Sequence, residues 1–271
     1  MSTATVSVPS TDAVSGLAAS PYRLSFVRVV RSEWLKLLSL RSTWWSLAIT
    51  VALSVGISLL MAAAMRDFES GITPVMVIVM PMQFTMLVAG ILGAIAITGE
   101  YSTGMIRSTL TAEPRRGAVL AAKSIVVTVL LALATAVTYA IAVLVTAPIL
   151  KTGIDWSDAA QSWTPLLAGV FAMATFALIG LGFGFIIRNG AGAIAATVGV
   201  LFVLPIVLSM FSFAGEGWRW LVDSTQYLPM SGAQAATAVD GDHIVRGLVT
   251  LAAWPAALLI GAWVSLRSRD A

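Results

Sequence analysis

The residues that could do chemistry are concentrated in one polar stretch between two apolar ones, residues 99–123. The stretch reads GEYSTGMIRSTLTAEPRRGAVLAAK and mixes acidic, basic and hydroxyl side chains. Glu100 and the polar residues after it are predicted to open a short helix, with Gly104 and Pro114 as breakers. Such side chains suit ionic and hydrogen-bonded contacts with another protein, although an ordinary solvated loop has a similar composition.

Signatures of catalysis are missing from the sequence. It contains no cysteine and a single histidine, His243, so no group of His, Cys and carboxylate residues has the spacing of a zinc site. The phosphate-binding pattern G-x-x-x-x-G-K-[ST] does not occur either, so ATP binding of the P-loop kind is not expected. We therefore predict no catalytic residue, no metal site and no cofactor bound by this chain.

Composition indicates a membrane protein. The chain has 271 residues, of which 58% are hydrophobic and only 11% charged, and its mean hydropathy is +0.92. So few charged residues could not cover the outside of a soluble domain with this much apolar surface. The composition excludes a soluble enzyme, a disulfide-bonded secreted domain and a disordered chain.

Charge-free stretches define the membrane spans. About 20 helical residues cross the hydrocarbon core, and six stretches without Asp, Glu, Lys or Arg reach that length. The predicted fold class is all-α, a polytopic membrane protein with spans at about 44–64, 75–98, 124–149, 165–187, 191–211 and 247–266. No ionisable residue is predicted inside a span, which argues against a proton- or ion-coupled carrier.

The distribution of basic residues sets the orientation. Six spans place both termini on one side, and that side carries 12 of the 16 Lys and Arg residues. Because basic residues accumulate on the cytoplasmic side, both termini are predicted to be cytoplasmic. Residues 1–20 lack the basic start and long apolar core of a secretory signal and are interpreted as a disordered cytoplasmic tail. Residues 21–271 form the membrane domain.

An amphipathic helix is predicted before the first span, over residues 21–41. Its apolar residues recur every three or four positions, and Trp34 is one of them. Arg28, Arg31 and Lys36 lie largely on the other face, where they suit the anionic cytoplasmic leaflet. The alternative is a simple basic flank of the first span.

Several uncharged residues are further candidates for function. Gln83 is the only amide in the second span, so either it faces a cavity with Thr85 nearby or it packs against partners. Small residues in the fifth span, Gly192, Ala195 and Gly199, allow close helix contact within one subunit or across a dimer. The outer segment 212–246 is too apolar for a plain loop and is predicted to contain short helices that lie on the membrane or enter it.

These features together resemble one transporter family. The pattern of Glu100, Gly104 four residues later, and then Leu110, Pro114, Arg116 and Lys123 resembles the loop between the second and third spans of type-2 ATP-binding-cassette (ABC) exporter permeases. The family also has six spans with cytoplasmic ends and an amphipathic elbow helix before the first one. Gln226 to Met230, QYLPM, resembles a stretch common in bacterial members. The resemblance covers nearly all of residues 21–268.

The resemblance implies a permease subunit in the cell membrane that exports a hydrophobic or amphipathic substrate. It implies two protein partners, an ABC ATPase that binds ATP and Mg²⁺ and a second permease subunit, and no nucleic acid. The residues it assigns to the ATPase contact are Glu100, Tyr101, Ser102, Thr103, Gly104, Met105, Arg107, Pro114 and Arg116. An ATP-independent carrier or a structural membrane partner remains the alternative.

Overall fold

The computed structural model describes residues 25–65, 72–150, 153–239, 241 and 243–268, and every regular element in these ranges is helical. The all-α prediction is therefore confirmed. The interpretation of residues 1–20 as a disordered tail concerns residues outside these ranges. The helices are α1 Phe26–Ser39, α2 Arg41–Met65, α3 Pro74–Val79, α4 Met82–Thr103, α5 Met105–Ala112, α6 Arg116–Thr146, α7 Trp163–Ile187, α8 Gly190–Val198, α9 Leu204–Met210, α10 Arg219–Ser224, α11 Pro229–Thr237 and α12 Ile244–Ser268.

Six helical segments of the described chain are long and apolar enough to cross a membrane. Each overlaps one predicted span, so the six-span prediction is confirmed. They are Arg41–Met65, Pro74–Thr103, Arg116–Thr146, Trp163–Ile187, Gly190–Phe213 and Ile244–Ser268.

The helices extend beyond two of the predicted spans at the end where residues 99–123 lie. Glu100 lies in the last turn of helix α4 rather than opening a new helix, and Lys123 lies seven residues after the start of α6. The predicted spans 75–98 and 124–149 themselves contain no ionisable residue, and Glu100 and Lys123 lie on the helical extensions beyond them. The backbone stays helical through these charges because each charged side chain finds an opposite charge nearby, as described below.

Helices α4 and α7 form the centre of the bundle, and glycines let them cross closely. A Cβ atom at Gly93 would lie 1.9 Å from the carbonyl oxygen of Ala177, and one at Gly180 would lie 1.9 Å from that of Gly90. The backbones are thus in direct contact, which only glycine permits. Gly180 and Gly184 of α7 both contact α4 of the same chain.

The predicted outer segment folds into short helices rather than a plain loop. Helix α11 buries Ala233 and Ala236 and packs against α12, where Gly247 allows close approach. A Cβ atom on Gly247 would lie 2.5 Å from the backbone nitrogen of Ala236. The indole nitrogen of Trp254 in α12 also donates to the carbonyl of Tyr227, at 2.8 Å.

The fifth span is the least embedded in the bundle. Helix α8 touches α4 and α7, but α9 has no buried residue. A π-helical turn at Gly199–Val203 precedes Pro205, which occupies the first turn of α9. Proline supplies no backbone N–H, so the wider turn accommodates it without breaking the helix. One face of α8 and α9 has no partner among the residues that the structure describes.

The topology predicts which positions are accessible from each side of the membrane. The natural chain has no cysteine, so single cysteines can be introduced without background. Cysteine at Thr103 or Ser268 should resist an impermeant thiol reagent in intact cells and react after the cells are opened. Cysteine at Ser157 should react in intact cells. All three side chains are exposed, so burial does not explain protection. Reaction of the Thr103→Cys variant from outside would refute the orientation.

Candidate functional site

Four charged residues from three helices meet where α4 ends and α6 begins. Glu33 and Lys36 come from α1, Glu100 from α4 and Lys123 from α6, and we call them the ionic cluster. The Lys36 ammonium lies 2.6 Å from Glu33 Oε1 and 3.3 Å from Glu100 Oε1. Lys123 contacts Glu33 Oε2, and its ammonium lies 2.8 Å from Glu100 Oε1.

The ionic cluster is buried, and its formal charges cancel. Glu33 is 2% exposed, Glu100 and Lys123 are 4% exposed, and Lys36 is half-buried. Removing a charge from water costs several kcal/mol, and close opposite charges with good hydrogen bonds must offset that cost. The loss of any one member would leave an uncompensated buried charge. The three helices are therefore held in a fixed relation by electrostatics as well as by packing.

The pKa directions in α1 follow from the same contacts. Burial alone would raise the pKa of the Glu33 carboxyl, but Lys123 and Lys36 outweigh it and hold the pKa below its usual value. Burial would lower the pKa of Lys36, but Glu33 and Glu100 raise it above its usual value. A carboxyl whose pKa is lower in the folded chain than in the unfolded chain stabilises the fold at pH values above its unfolded-state pKa. This stabilisation is lost only as the pH falls through the lowered pKa. Both residues are therefore charged at neutral pH.

A short helix, α5, lies next to the ionic cluster and contacts α4 and α6. Gly104 separates α4 from α5 with φ of 72°, a left-handed conformation that favours glycine. In α5, Ile106 is buried and anchors the helix, while Met105, Arg107 and Ser108 are exposed. The Lys36 ammonium also donates to Thr109 Oγ1 at 3.1 Å. Helix α5 is thus attached directly to the ionic cluster.

The last span ends at the same place. Arg116, at the start of α6, donates to the carbonyl of Leu266, and Arg188 donates to the carbonyl of Ser265 at 2.8 Å. These carbonyls belong to the last turn of α12, which has no intrahelical donors for them. The Arg188 guanidinium also lies 5.4 Å from the centre of the Tyr101 ring. Helices α4, α6, α7 and α12 are therefore joined at this end.

The structure brings some predicted site residues together and leaves others apart. Lys36, expected on the basic face of the interfacial helix, turns into the ionic cluster with Glu100. Arg28 and Arg31 are exposed, and Trp34 is half-buried. Helix α1 ends at Ser39, and Arg41 begins α2, so the interfacial helix is shorter than the predicted 21–41.

Exposed residues surround α5 on both sides. Ser102 and Thr103 are exposed, and their hydroxyls donate to the carbonyl of Gly99. Pro114 is also exposed and follows the end of α5. Together with Met105 and Arg107 they are exposed positions within residues 102–114 that other proteins could contact.

The other predicted residues lie elsewhere in the fold. Gln83 is half-buried in the first turn of α4 and lines a small pocket with Gln234 and Thr237. Thr85 is buried, and its hydroxyl lies 3.6 Å from the sulfur of Met173 in α7. Their part in a transport path stays a prediction.

The small residues predicted for dimer packing differ among themselves. A Cβ atom at Gly192 would lie 2.9 Å from a methyl group of Ile187 in the same chain. Ala195 is exposed, and a Cβ atom at Gly199 meets nothing within 4 Å. Ala195 and Gly199 are therefore open to a partner, whereas Gly192 packs internally.

Sequence reasoning missed Glu33 and did not connect it with Lys123. A signal was present, since Glu33 lies three residues after Val30 and four before Leu37, on the apolar side of α1. Lys123 occupies the same kind of position, between Leu120 and Val127 in α6. A charge on an apolar helix face needs a partner, but the sequence did not identify which charges would meet.

Comparison with known families agrees with this architecture. A family model described as ABC-2 family transporter protein matches residues 29–215, more than half of the chain. The matched part includes the whole ionic cluster, α5 and the first five spans. No curated protein matches the chain.

The ionic cluster predicts a large stability effect at one position. Lys123→Met should lower the free energy of unfolding by about 3–5 kcal/mol, because it leaves two buried carboxylates with only the Lys36 ammonium between them. Arg107→Met, on the exposed face of α5, should change it by less than about 0.5 kcal/mol. Reversible unfolding of both variants in one mild detergent gives the comparison. Equal stability of the two variants would contradict the paired, buried state of Lys123.

Proposed function

Because this chain belongs to the ABC-2 family of transporter proteins, we propose that it is the permease subunit of an ATP-driven exporter. ATP and Mg²⁺ are bound by a separate ATPase chain. The permease moves a hydrophobic or amphipathic substrate outward across the plasma membrane. The observation that carries this proposal is the exposed helix α5 attached to the buried ionic cluster.

Helix α5 has the properties of a contact that receives motion from another protein. It is short, it lies between two spans, and its exposed residues include apolar Met105 and cationic Arg107. Such a mixture is common in protein interfaces, where an apolar anchor is surrounded by polar contacts. Gly104 before it and Pro114 after it limit its length. Because α5 is a short helix rather than a flexible loop, a displacement of α5 would also displace the helices that contact it.

The contacts around α5 define a route for that displacement. Thr109 connects α5 to Lys36, and the ionic cluster connects Lys36 to α4 and α6. Arg116 continues the connection to the end of α12. When the ATPase changes its state, these helices move together. Export then requires only that the transporter binds the substrate more tightly in the inward-open state, before the motion, than in the state it reaches after the motion.

A second permease subunit completes the transporter in this proposal. Helices α8 and α9 present a largely uncovered apolar face, including Ala195, Gly199 and Ile206. A small-residue face permits close approach between helices in a membrane. The translocation path then lies between the two copies or between this chain and a related one.

One observation also favours an ATP-independent carrier as a second candidate. Ion-coupled carriers place ionisable residues within their helices, and Glu100 and Lys123 lie near the ends of two of the long apolar helices of this chain. The two candidates differ in their energy source. Export that continues without ATP and without an ATPase partner would select the carrier.

The exposed face of α5 predicts how the ATPase is bound. Tagged chain purified from native membranes should carry a second protein that contains a P-loop and hydrolyses ATP. Met105→Glu combined with Arg107→Glu should weaken this capture by about thirtyfold, since central interface residues contribute about 2 kcal/mol or more.

The matched control is Ser157→Glu, an exposed position on the opposite side of the membrane. It should leave capture and export unchanged. Normal capture and export by the α5 double variant, at equal protein level, would rule out α5 as the ATPase contact.

Gln83 predicts a change in substrate preference. If Gln83 lines the transport path, Gln83→Leu should leave abundance and dimerisation normal but alter which amphipathic compounds are exported, through differential affinity. If it only packs, apolar replacement should be neutral or slightly stabilising. Export of several amphipathic compounds, normalised to protein level, measures the difference. An unchanged profile would assign Gln83 to packing.

A further inference from the structure

The fifth span consists of two halves that pack differently against the bundle. In the inner half, Ala193, Thr197 and Leu201 are fully buried and lie four residues apart, on one face of the helix. A Cβ atom on Gly90 of α4 would lie 2.6 Å from a methyl group of Thr197 and 3.0 Å from one of Leu201. The missing side chain at Gly90 therefore lets the inner half sit directly on α4.

The outer half of the fifth span has no buried residue. From Phe202 to Phe213 every residue is exposed or half-buried, and the exposed ones include Ile206 and Met210. Polarity does not explain the difference, because the fifth span is the most hydrophobic of the six described spans. Helix α9 contacts α10 and the turn Thr225–Tyr227 of the outer segment. No buried side chain therefore holds the outer half against the bundle.

The π-helical turn Gly199–Val203 lies at the boundary between the two halves, where the backbone hydrogen bonds are irregular. The Leu204 N–H donates to the carbonyl of Gly199, five residues back instead of four. Pro205 has no N–H, so the carbonyl of Leu201 loses the donor that a regular helix would supply. Glycine in a helix is also about 1 kcal/mol less favourable than alanine. Prolines and π-turns are the usual places where helices bend. The fifth span is therefore easiest to bend at this boundary.

We propose that this π-helical turn is a hinge, on which the outer half of the fifth span swings while the inner half stays seated on α4. The outer half, residues 204–213, is about 15 Å long, so a bend of about 20° would displace its end by about 5 Å. Movement between the bundle and the fifth span is thereby concentrated in the outer half. The role of the hinge rests on the proposed function, in which the swing opens and closes the outer end of the transport path.

Distances between pairs of spin labels test the hinge in the purified chain, without any ATPase. The natural chain has no cysteine, so labels go only to introduced ones. Leu167→Cys in α7 is combined with Ser212→Cys in the outer half or with Ala195→Cys in the inner half, and all three positions are exposed. Labelled chains are diluted with unlabelled chains in phosphatidylcholine vesicles, so that each distance lies within one chain. The outer pair should show a distance distribution about 5 Å wider than the inner pair.

Two proline variants separate the hinge from a general effect of proline removal. Pro205→Ala supplies the missing N–H and should narrow the outer distribution to the width of the inner one. Pro255→Ala is the matched control, because Pro255 lies inside helix α12 and outside the fifth span. It should leave both distributions as they are in the natural chain. With the ATPase present, Pro205→Ala should capture that partner normally but export less substrate.

Three results of the distance measurements would overturn the hinge. They are equal widths for the two pairs in the natural chain, an outer distribution that stays wide in Pro205→Ala, and equal narrowing in Pro255→Ala. Normal export by Pro205→Ala, after its outer distribution has narrowed, would refute the role of the hinge in transport. Distances that behave as predicted in a chain that captures no ATPase would support the hinge and contradict the proposed function, so the two failures are distinguishable.

Discussion

Two lysines and two glutamates buried at one end of the helical bundle impose the constraint on which the rest of the site depends. Each of these charges is tolerable only because its partners come from other helices. Helix α1 cannot move away from α4 and α6 without exposing Glu33 and Lys123 to an apolar environment. Through Lys36 and Thr109 the same constraint holds α5. An exposed helix of eight residues is thereby connected to buried parts of the spans.

Packing divides the bundle into a tightly joined part and a loosely joined part. Glycines bring the backbones of α4 and α7 into contact, and arginines attach the end of α12 to α6 and α7. Helices α8 and α9 contribute far less buried surface and contain the π-helical turn before Pro205. A displacement of α5 would therefore move the joined helices as a body relative to the fifth span. In the proposed function, this relative motion would open and close a pathway next to the fifth span.

The spans and the fold class could be predicted because hydrophobicity along the chain decides them. Long charge-free stretches have no stable alternative to a membrane helix, and all six overlap the observed segments. The ends of the second and third spans could not be predicted, because Glu100 and Lys123 look like loop residues until their partner is known. Glu33, Glu100 and Lys123 are separated by 67 and 23 residues in sequence. Only the tertiary fold brings them together.

The site shows the same limit. The segment 99–123 was identified by its composition and by family resemblance, and Gly104 and Pro114 do bound α5. The pairing of α1 with that segment was not foreseen. The amphipathic pattern of α1 indicated a membrane surface for its apolar face, but part of that face packs against α6 instead. Periodicity identifies a face to be covered, and it does not identify what covers it.

The most direct test of this account is a double-mutant cycle between Glu33 and Lys123. Glu33→Gln, Lys123→Gln and the double variant are compared by free energy of unfolding and by ATP-dependent export. The account predicts that each single variant lowers both the free energy of unfolding and ATP-dependent export. It also predicts that the double variant loses less stability than the sum of the two single losses, by more than about 1 kcal/mol, and recovers part of the export. Costs that add within about 0.5 kcal/mol, with no recovery of export, would show that the two residues act independently and would contradict the account.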